Sequence, residues 1–347
     1  MLFDGEVLVA GLGSIGERHV RNLLAAGQKV VTVLRRETAP SRTLEPNSFR
    51  TVTDLTEALA RKPVAVIVAT PSSLHVPLLR RAIDAGIPAM IEVPLASAMD
   101  GLPGAASHAA ARDVPVLIAH NLRFHPCLRW IRESVIRGDV GEVLYSQAQF
   151  GEFLPGSHTW EDYRGRYEAR NDLGGGAIFT SLHELDNAVW LFGPVDTVTS
   201  VARTRTLDID VEDTAMIIME HQTGILSQIT LDFVQRPYRR WLQIVGTHGT
   251  VEWEFLSNEV RCFTDRGIGW ELVYSAKGYN AGESYVDELA HFSRVVRREE
   301  APVAGLAQAM HVLSLGIAAH QSSASGQRVT IIPESDHINT VEPEQLL

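Results

Sequence analysis

Gly11, Gly13 and Gly16 have the spacing of a loop that holds the pyrophosphate of a dinucleotide. The mostly apolar residues 7–10 before them predict a short buried strand, and Glu17–Ala26 is predicted to form a helix. Gly11 permits the tight turn, Gly13 lets the backbone approach the phosphates, and Gly16 lets the helix pack close to the strand. Glycines also end strands for structural reasons alone, so the strand and helix on either side carry this interpretation.

The backbone N–H groups at the start of that helix would face the anion. The residues predicted to hold the pyrophosphate are therefore Gly11, Gly13, Ser14, Ile15 and Gly16.

Arg35 and Arg36 end the next predicted strand, Lys29–Leu34. A dinucleotide fold normally places an acidic residue here, roughly 20 residues after the glycines, to bind the ribose 2′-hydroxyl. Two arginines would instead pair with a 2′-phosphate, because the guanidinium group matches phosphate geometry. The sequence therefore predicts NADP as the cofactor, with NAD as the second choice. The alternative is a solvent-exposed basic turn.

Three later strands, predicted over 64–69, 89–92 and 114–119, each lead into residues that could form hydrogen bonds. Ligands of parallel α/β sheets bind at the carboxyl ends of the strands, so we expect these residues to lie along one edge. Glu92 is predicted to bind the nicotinamide ribose; the alternative is a carboxylate that caps a helix or forms a salt bridge. The other residues predicted at this edge are Thr70, Pro71, Ser72, His75 and Asn121.

His183 is the candidate acid–base residue, because it follows the triple glycine 174–176 on a predicted helix. Histidine exchanges protons near neutral pH, which suits the hydroxyl proton in a hydride transfer. The alternative is a hydrogen-bonded structural histidine. Asp186 lies near the same helix face, where a structural or His-orienting role is favoured. No further ligands follow at a recognised spacing, so no metal site is expected.

The long segment from Gly151 to Asp172 is rich in polar and aromatic residues. Aromatic faces stack on sugar CH groups, and arginines bind anionic substituents. The alternative is a surface segment that packs over a sheet edge, and both can hold. Arg123, which follows the fifth strand, is predicted to clamp a substrate carboxylate or phosphate, or else to pair with an acid in a domain interface. The predicted substrate-binding set is Arg123, Trp160, Tyr163, Tyr167, Arg170 and His183.

Strands that alternate with helices up to Asn121 predict an α/β fold with a doubly wound parallel sheet. Beyond this point, successive strands from Val195 to Phe263 predict a second, mostly antiparallel sheet in an α+β domain. The expected domains are 1–121 and 122–334, followed by a flexible tail at 335–347. The C-terminal helices are allowed to pack back on the first domain.

The 347 residues suit two domains, and the net charge of −11 disfavours nucleic acids and anionic membranes as partners. Two distant cysteines imply no disulfide framework, which fits a reducing compartment. No apolar run reaches transmembrane length, and the first strand begins too early to leave room for a signal peptide. We therefore expect a cytoplasmic protein.

Taken together, these motifs resemble the Gfo/Idh/MocA oxidoreductases, over about residues 5–330. The motifs that carry the resemblance are Gly-Leu-Gly-Ser-Ile-Gly (11–16), Ala-Thr-Pro-Ser (69–72) with His75, Glu-Val-Pro-Leu (92–95), Asn-Leu-Arg-Phe-His-Pro (121–126), the triple glycine, His-Glu-Leu-Asp (183–186) and Ile-Val-Gly-Thr-His-Gly (244–249). The resemblance implies an N-terminal Rossmann domain and a C-terminal domain whose open sheet mediates a homodimer or homotetramer. It also implies a sugar or cyclitol substrate, free or linked to a nucleotide or phosphate.

Two positions depart from the family pattern. The family usually has lysine in the middle of Glu-Lys-Pro, where it orients the substrate hydroxyl and assists proton transfer, and here this residue is Val93. Family members also commonly carry an aspartate about one turn before the histidine, where this chain has Phe179 and Thr180. His183 remains, with Thr180, Tyr163 or a bound water as candidates to replace the lysine.

Two hypotheses follow from these residues. In the first, the protein is an NADP(H)-dependent enzyme that transfers a hydride to or from a sugar-like or cyclitol-like substrate held between the domains. The catalytic residues would be His183, Thr180 and Glu92. In the second, the absence of the lysine means that the cofactor is bound without net dehydrogenase activity. The protein would then have a regulatory or scaffold role, or would recycle the nicotinamide within a reaction that is not redox overall.

Overall fold

The computed structural model describes residues 2–36, 41, 43–45, 47–157, 159–265 and 267–332. The chain forms two compact units: one contains residues 1–129, 172–174 and 278–310, and the other contains 130–171, 175–277 and the residues from 311 on. The tail predicted at 335–347 lies outside the described residues.

Helices and strands are numbered along the described chain. The α-helices are α1 (Ser14–Ala25), α2 (Leu55–Ala60), α3 (His75–Asp84), α4 (Leu102–Ala111), α5 (Pro126–Arg137), α6 (Ala177–Thr180), α7 (Leu182–Phe192), α8 (Glu283–Val296) and α9 (Leu306–Ser325). The strands are β1 (Val7–Ala10), β2 (Val31–Leu34), β3 (Arg50–Val52), β4 (Ala65–Val68), β5 (Ala89–Ile91), β6 (Val116–Ile118), β7 (Val143–Phe153), β8 (Val195–Arg203), β9 (Thr214–His221), β10 (Leu226–Asp232), β11 (Val234–Gly246), β12 (Gly249–Glu254), β13 (Glu259–Thr264), β14 (Glu271–Ser275) and β15 (Val329–Thr330).

The first unit contains a six-stranded sheet in the order β3-β2-β1-β4-β5-β6, with every pair parallel. This confirms the predicted doubly wound sheet. The strand order reverses between β1 and β4, which is where such sheets bind dinucleotides. The short strand β3 was not predicted, because three residues with one buried side chain carry no readable pattern.

The core of the first unit includes residues from near both ends of the described chain. Leu289, Phe292 and Val295 on α8 belong to the same buried cluster as Val7 on β1 and Val20 on α1. Their three-residue spacing forms an apolar stripe along α8. The first unit therefore includes α8 as well as the residues before 121, which the expectation that C-terminal helices could pack back on the first domain allows.

The second unit contains a nine-stranded sheet in the order β14-β13-β12-β11-β7-β10-β9-β8-β15. Its strand pairs are antiparallel except for β7 and β10, so the predicted mostly antiparallel sheet is confirmed. Side chains alternate between buried and exposed along β9, where Ile217 and Met219 are buried while Met216 and Ile218 are more than half exposed. One face of the sheet is thus packed and the other is open.

The segment after β7 is more ordered than the predicted loop. It makes four single-turn 3₁₀ helices, at Leu154–Gly156, Tyr163–Gly165, Tyr167–Ala169 and Asn171–Leu173. Among the helices described, none combines the length and apolar character needed to cross a bilayer.

Candidate active site

Gly11 and Gly16 are glycines because the surrounding backbone leaves no room for a side chain. Gly11 has a φ of +102°, and a Cβ atom there would lie 2.3 Å from the carbonyl oxygen of Ala69. At Gly16, a Cβ atom would lie 2.3 Å from the carbonyl oxygen of Gly11. Both residues let the turn after β1 fold tightly against the end of β4 and the start of α1, as the motif predicts.

Gly13 is different, because nothing in the described structure requires it to be glycine. A Cβ atom there would have no heavy atom within 4 Å, and the residue has an extended φ of −74°. It is the N-cap residue of α1, where no side chain makes a capping hydrogen bond. An open, uncapped helix N-terminus with room beside its backbone fits the pyrophosphate of a dinucleotide. Gly11, Gly13, Ser14, Ile15 and Gly16 would hold that group.

Arg35 and Arg36 lie at the same sheet edge as the glycine loop. They follow β2, whose Leu34 pairs with Ala10 of β1, and the Gly11 N–H donates to the Leu34 carbonyl at 2.9 Å. Arg35 is half-buried and Arg36 is exposed. Their position next to the turn suits the predicted contact with a 2′-phosphate.

Two polar side chains of the loop after β4, those of Thr70 and Ser72, differ in their hydrogen bonding. Thr70 Oγ1 is buried and has no hydrogen-bond partner among the described residues. Ser72 Oγ donates to the Leu173 carbonyl at 3.1 Å. Next to Ser72, Pro71 is half-buried. The Thr70 hydroxyl is therefore able to bind a ligand at the predicted cofactor edge. The Ser72 hydroxyl cannot donate to a ligand while it donates to the Leu173 carbonyl.

His75 has a role that the sequence did not indicate. It is 1% exposed, with Nδ1 at 2.9 Å from the Pro94 carbonyl oxygen and Nε2 at 2.8 Å from the Thr70 carbonyl oxygen. Burial lowers the pKa of His75, against the opposing effect of the two carbonyls and Glu92. Both ring nitrogens face carbonyl oxygens of the loops after β4 and β5, and a neutral imidazole donates to one of them. His75 therefore braces these two loops, and its predicted contact with the cofactor stays a prediction.

Glu92 follows β5 and is paired with a histidine on α1. Its Oε1 lies 2.5 Å from Nε2 of His19, which is fully buried, while Glu92 is 9% exposed. The contact observed for Glu92 is therefore the one with His19, and the predicted ribose contact stays a prediction. Val93 comes next and is half-buried. Its side chain has no group that can donate or accept a proton.

Asn121 and Arg123 are both buried in the first unit. Asn121 Nδ2 donates to Ser284 Oγ at 2.9 Å. The Arg123 guanidinium is 3% exposed and donates to the Val303 carbonyl and to Gln308 Oε1. These buried partners favour a structural role for Arg123 over the predicted substrate clamp.

In the second unit, His183 is the second residue of α7 and is half-buried. The neighbouring Glu184 is 3% exposed and forms an ion pair with Arg240 of β11, whose Nε donates to Glu184 Oε1 at 2.7 Å. The Arg240 guanidinium also lies 4.7 Å above the ring of Phe150 on β7. This pair ties the start of α7 to the sheet and thereby fixes the backbone at His183. Asp186 is 1% exposed, in keeping with the structural role favoured for it.

The second and third residues of the triple glycine are set by close contacts. A Cβ atom on Gly175 would lie 2.4 Å from the Tyr167 carbonyl oxygen, and one on Gly176 would lie 2.5 Å from Glu212 Oε1. Glu212 Oε1 accepts the Ile178 N–H at 2.8 Å, and burial raises the pKa of this carboxyl group while the nearby charge of His320 lowers it. Glu212 thus holds the start of α6, which leads to Thr180 and His183.

Thr180 and Phe179 occupy the positions where the family commonly has aspartate. The Thr180 hydroxyl donates to the Gly176 carbonyl at 2.7 Å, so it can accept, but not at the same time donate, a further hydrogen bond. The Phe179 ring packs on the ring of His320, with centroids 5.0 Å apart. Neither side chain reproduces a carboxylate.

The aromatic segment is anchored by a residue that was not among the candidates. Arg166 is 7% exposed and donates to Ser157 Oγ at 2.9 Å and to Glu168 Oε1 at 2.5 Å. Around it, the predicted substrate-binding residues stay at or near the surface: Trp160 is 59% exposed, Tyr163 and Tyr167 are half-buried, and Arg170 is exposed.

Four residues that hold elements of the candidate site have no signal in the sequence: His19, Arg166, Glu212 and Arg240. Tertiary packing buries each of them: His19, Glu212 and Arg240 contact segments more than 30 residues away. Arg166 contacts Ser157 and Glu168, which are near it in the chain. Nothing in local spacing predicts such burial. Within the ranges described, no group of three or more His, Cys, Asp or Glu side chains is arranged to hold a metal ion.

A Rossmann sheet with an open glycine loop, joined to a second unit built on a large open sheet, defines a nicotinamide-dependent oxidoreductase class. Two family models match the chain: an oxidoreductase family with an NAD-binding Rossmann fold at residues 6–120, and the GFO/IDH/MocA C-terminal domain at residues 128–252. The chain belongs to the Gfo/Idh/MocA oxidoreductase family.

Among curated relatives, the chain is similar to an uncharacterized oxidoreductase of Synechocystis sp., at 28% identity over 57% of each chain. It is also similar to scyllo-inositol 2-dehydrogenase (NAD(+)) of Bacillus subtilis, at 25% identity over 93% of this chain and 95% of that protein. Among solved structures, levoglucosan dehydrogenase in complex with NADH and L-sorbose has the same fold, with a TM-score of 0.84 and 17% identity over 96% of this chain and 100% of that one.

Proposed function

We propose that this chain is an NADP(H)-dependent oxidoreductase that interconverts a hydroxyl and a carbonyl group on a sugar-like or cyclitol-like substrate. The proposal that the chain binds a dinucleotide rests on Gly13, a glycine with open space beside it at a helix N-terminus that no side chain caps. The substrate class is supported by the name of the relative that matches over nearly the whole chain, scyllo-inositol 2-dehydrogenase. When bound, the nicotinamide would accept or donate the hydride that this reaction needs.

The glycine loop would bind the pyrophosphate, and Thr70 and Glu92 would contribute polar contacts along the same sheet edge. Arg35 and Arg36 support NADP over NAD, because two guanidinium groups at the end of β2 match the geometry of a 2′-phosphate. The Bacillus subtilis relative is named as an NAD(+) enzyme. Cofactor preference is therefore the first property to measure.

His183 would carry the proton. Its imidazole would take the hydroxyl proton when the substrate is oxidised and return it when the carbonyl is reduced. Because Thr180 already donates to Gly176, its hydroxyl would accept a hydrogen bond and so orient a substrate hydroxyl. Val93 removes the lysine that shares this work in the family, which leaves His183 as the main acid–base group.

The substrate contacts would come from the aromatic segment. Trp160, Tyr163 and Tyr167 present aromatic surface suited to sugar CH groups, and Arg170 adds a positive charge for an anionic substituent. Arg123 is left out of this set because its guanidinium is buried against protein oxygen atoms.

A homodimer or homotetramer would form through the open face of the second sheet. Large apolar side chains are exposed along neighbouring strands there. In register, Val201 of β8 lies beside Met216 of β9, and Leu226 of β10 lies beside Tyr145 of β7. Each is at least 40% exposed. Exposed apolar side chains of this size on one sheet face are typical of a protein–protein interface.

The test is a spectrophotometric screen of the purified protein with NADP⁺ or NAD⁺ against sugars, cyclitols and their phosphate- or nucleotide-linked forms. We expect at least one class to reduce the nicotinamide, with the larger rate for NADP⁺. Cofactor binding without any nicotinamide reduction across all classes would contradict the dehydrogenase proposal.

A second candidate function is favoured by Val93 alone. Without the lysine, the protein could hold a nicotinamide cofactor without net oxidation or reduction. The absorbance of the freshly purified protein separates the two functions. A tightly held reduced cofactor that shows no net change while substrate is converted would favour internal recycling.

A further inference from the structure

Glu288 on α8 is a buried acid that none of the roles above uses. It is 0% exposed, and neither carboxyl oxygen has a hydrogen-bond partner within the described part of the chain. A charged carboxylate is very costly to bury without a cation or hydrogen-bond donors. The neutral, protonated acid is therefore the form that this environment favours.

The surroundings of Glu288 belong to the predicted cofactor edge. Helix α8 packs against α1 and against the turn Asn121–Phe124. One turn before Glu288, Ser284 accepts the hydrogen bond from Asn121, and the ring of Tyr285 meets the ring of His19 edge-on at 6.4 Å. His19 in turn is paired with Glu92.

The charged groups on these elements show which charge acts on Glu288. On α1, Glu17 accepts hydrogen bonds from Ser41 and Thr43, and the Arg18 guanidinium lies 4.6 Å over the Tyr285 ring. On the turn, Arg123 donates to Val303 and Gln308. Burial raises the pKa of Glu288 well above its usual range, and the negative charge of Glu92 raises it further. Two neighbouring buried carboxyl groups resist carrying two charges at once.

We propose that Glu288 is a positioning residue of the cofactor site, whose neutral carboxyl group allows Glu92 to carry the single negative charge of the pair, oriented by His19. The proposal rests on the proposed contact between Glu92 and the nicotinamide ribose. It follows that cofactor affinity depends on the proton held by Glu288. When this proton is lost at high pH, a second negative charge would repel Glu92 from its position.

The first measurement is the protonation state itself. Infrared difference spectra between the wild type and Glu288→Gln should show the carbonyl band of a protonated carboxyl group at neutral pH. If Glu288→Gln does not fold, Glu288→Met, which is also neutral at every pH, replaces it. Absence of the band at neutral pH would overturn the proposal.

The second measurement is the dissociation constant of NADPH and NADH, from fluorescence titrations between about pH 6 and about pH 9, which cover the range where a strongly shifted carboxyl group titrates. In the wild type, cofactor affinity should fall about 10- to 100-fold over the same pH interval in which the band disappears. A charge-assisted hydrogen bond contributes about this factor to binding. If the band persists throughout, affinity should stay constant. Loss of the band without loss of affinity would refute the proposal.

Variants of Glu288 and Glu92 distinguish the proposed role of Glu288 from the proposed contact of Glu92 with the cofactor. Glu288→Gln should keep the neutral-pH affinity within about twofold and show no alkaline loss, since an amide mimics the neutral acid. Asp287→Asn, which removes an exposed charge one residue away, should behave as the wild type. If Glu92→Gln leaves cofactor affinity unchanged, the proposed contact of Glu92 fails. If Glu92→Gln weakens binding and Glu288→Gln weakens it equally at neutral pH, only the role of Glu288 fails.

Discussion

Replacing Gly13 by alanine should weaken cofactor binding while leaving the fold intact, which neither Gly11 nor Gly16 allows. The new methyl group would meet no protein atom within 4 Å, so packing is unaffected. Alanine is a poorer N-cap residue than glycine, which costs less than about 1 kcal/mol of stability. The methyl group would instead occupy the space that a pyrophosphate needs. Overpacking of about 1–3 kcal/mol corresponds to a dissociation constant about 5- to 150-fold higher.

Gly11→Ala is the matched comparison within the same loop. Its methyl group would lie 2.3 Å from the Ala69 carbonyl oxygen and 3.0 Å from the Thr70 nitrogen, and its φ is +102°. Backbone atoms cannot move aside as a flexible side chain can. The unfavourable φ costs about 1–2 kcal/mol and the overpacking about 1–3 kcal/mol, so we expect a loss of about 2–5 kcal/mol in the free energy of unfolding.

Gly86→Ala measures the cost of the unfavourable φ alone, without the steric clash that Gly11→Ala adds. Gly86 has a φ of +70°, but no heavy atom lies within 4 Å of the position of its Cβ atom. Urea unfolding without cofactor gives the stability of all three variants, and fluorescence titration with NADPH and NADH gives their affinities. Wild-type affinity in Gly13→Ala would refute our interpretation of the loop, as would a stability loss in Gly13→Ala that equals the loss in Gly11→Ala.

Three further predictions concern the candidate site. Replacing Arg35 and Arg36 by serine should weaken NADPH binding about 10- to 100-fold and leave NADH binding nearly unchanged, because only the 2′-phosphate contact is lost; equal losses for both cofactors in the same titrations would contradict the assignment. His183→Ala should lower kcat by on the order of 100-fold, the usual size of acid–base catalysis, with cofactor affinity unchanged; near-normal turnover would remove His183 from the mechanism. Val93→Lys should raise the dehydrogenase rate on the best substrate of the screen, and an unchanged or lower rate would show that more than this lysine has been lost.

Local patterns were sufficient to predict most elements of both sheets. Strand β1 was predicted with the bounds that the structure has, and β8 begins at Val195, where the strands of the second sheet were predicted to begin. Asp54 caps α2 by accepting the Glu57 N–H at 2.7 Å. Such features depend on side chains a few residues apart, so the sequence displays them directly.

Roles that depend on burial could not be predicted in the same way. Arg123 and His75 carry polar groups at the expected edge of the sheet, yet both are buried and hydrogen-bonded to carbonyl oxygens of the protein. Their availability to a ligand is decided by segments up to 180 residues away in the chain. The same holds for Glu288, whose buried carboxyl group has no hydrogen-bond partner among the residues that the structure describes.

The sequence by itself determined the glycine loop, the alternation of strands and helices, the arginines after β2 and the replacement of lysine by Val93. These are properties of residue type and spacing, which exist before the chain folds. Only the tertiary structure decided that α8 completes the core of the first unit, that Arg240 and Glu212 hold the helices around His183, and that His19, Glu92 and Glu288 share one buried edge. Burial and hydrogen-bond partners are set only when the chain packs, and they determine which polar groups remain available for chemistry.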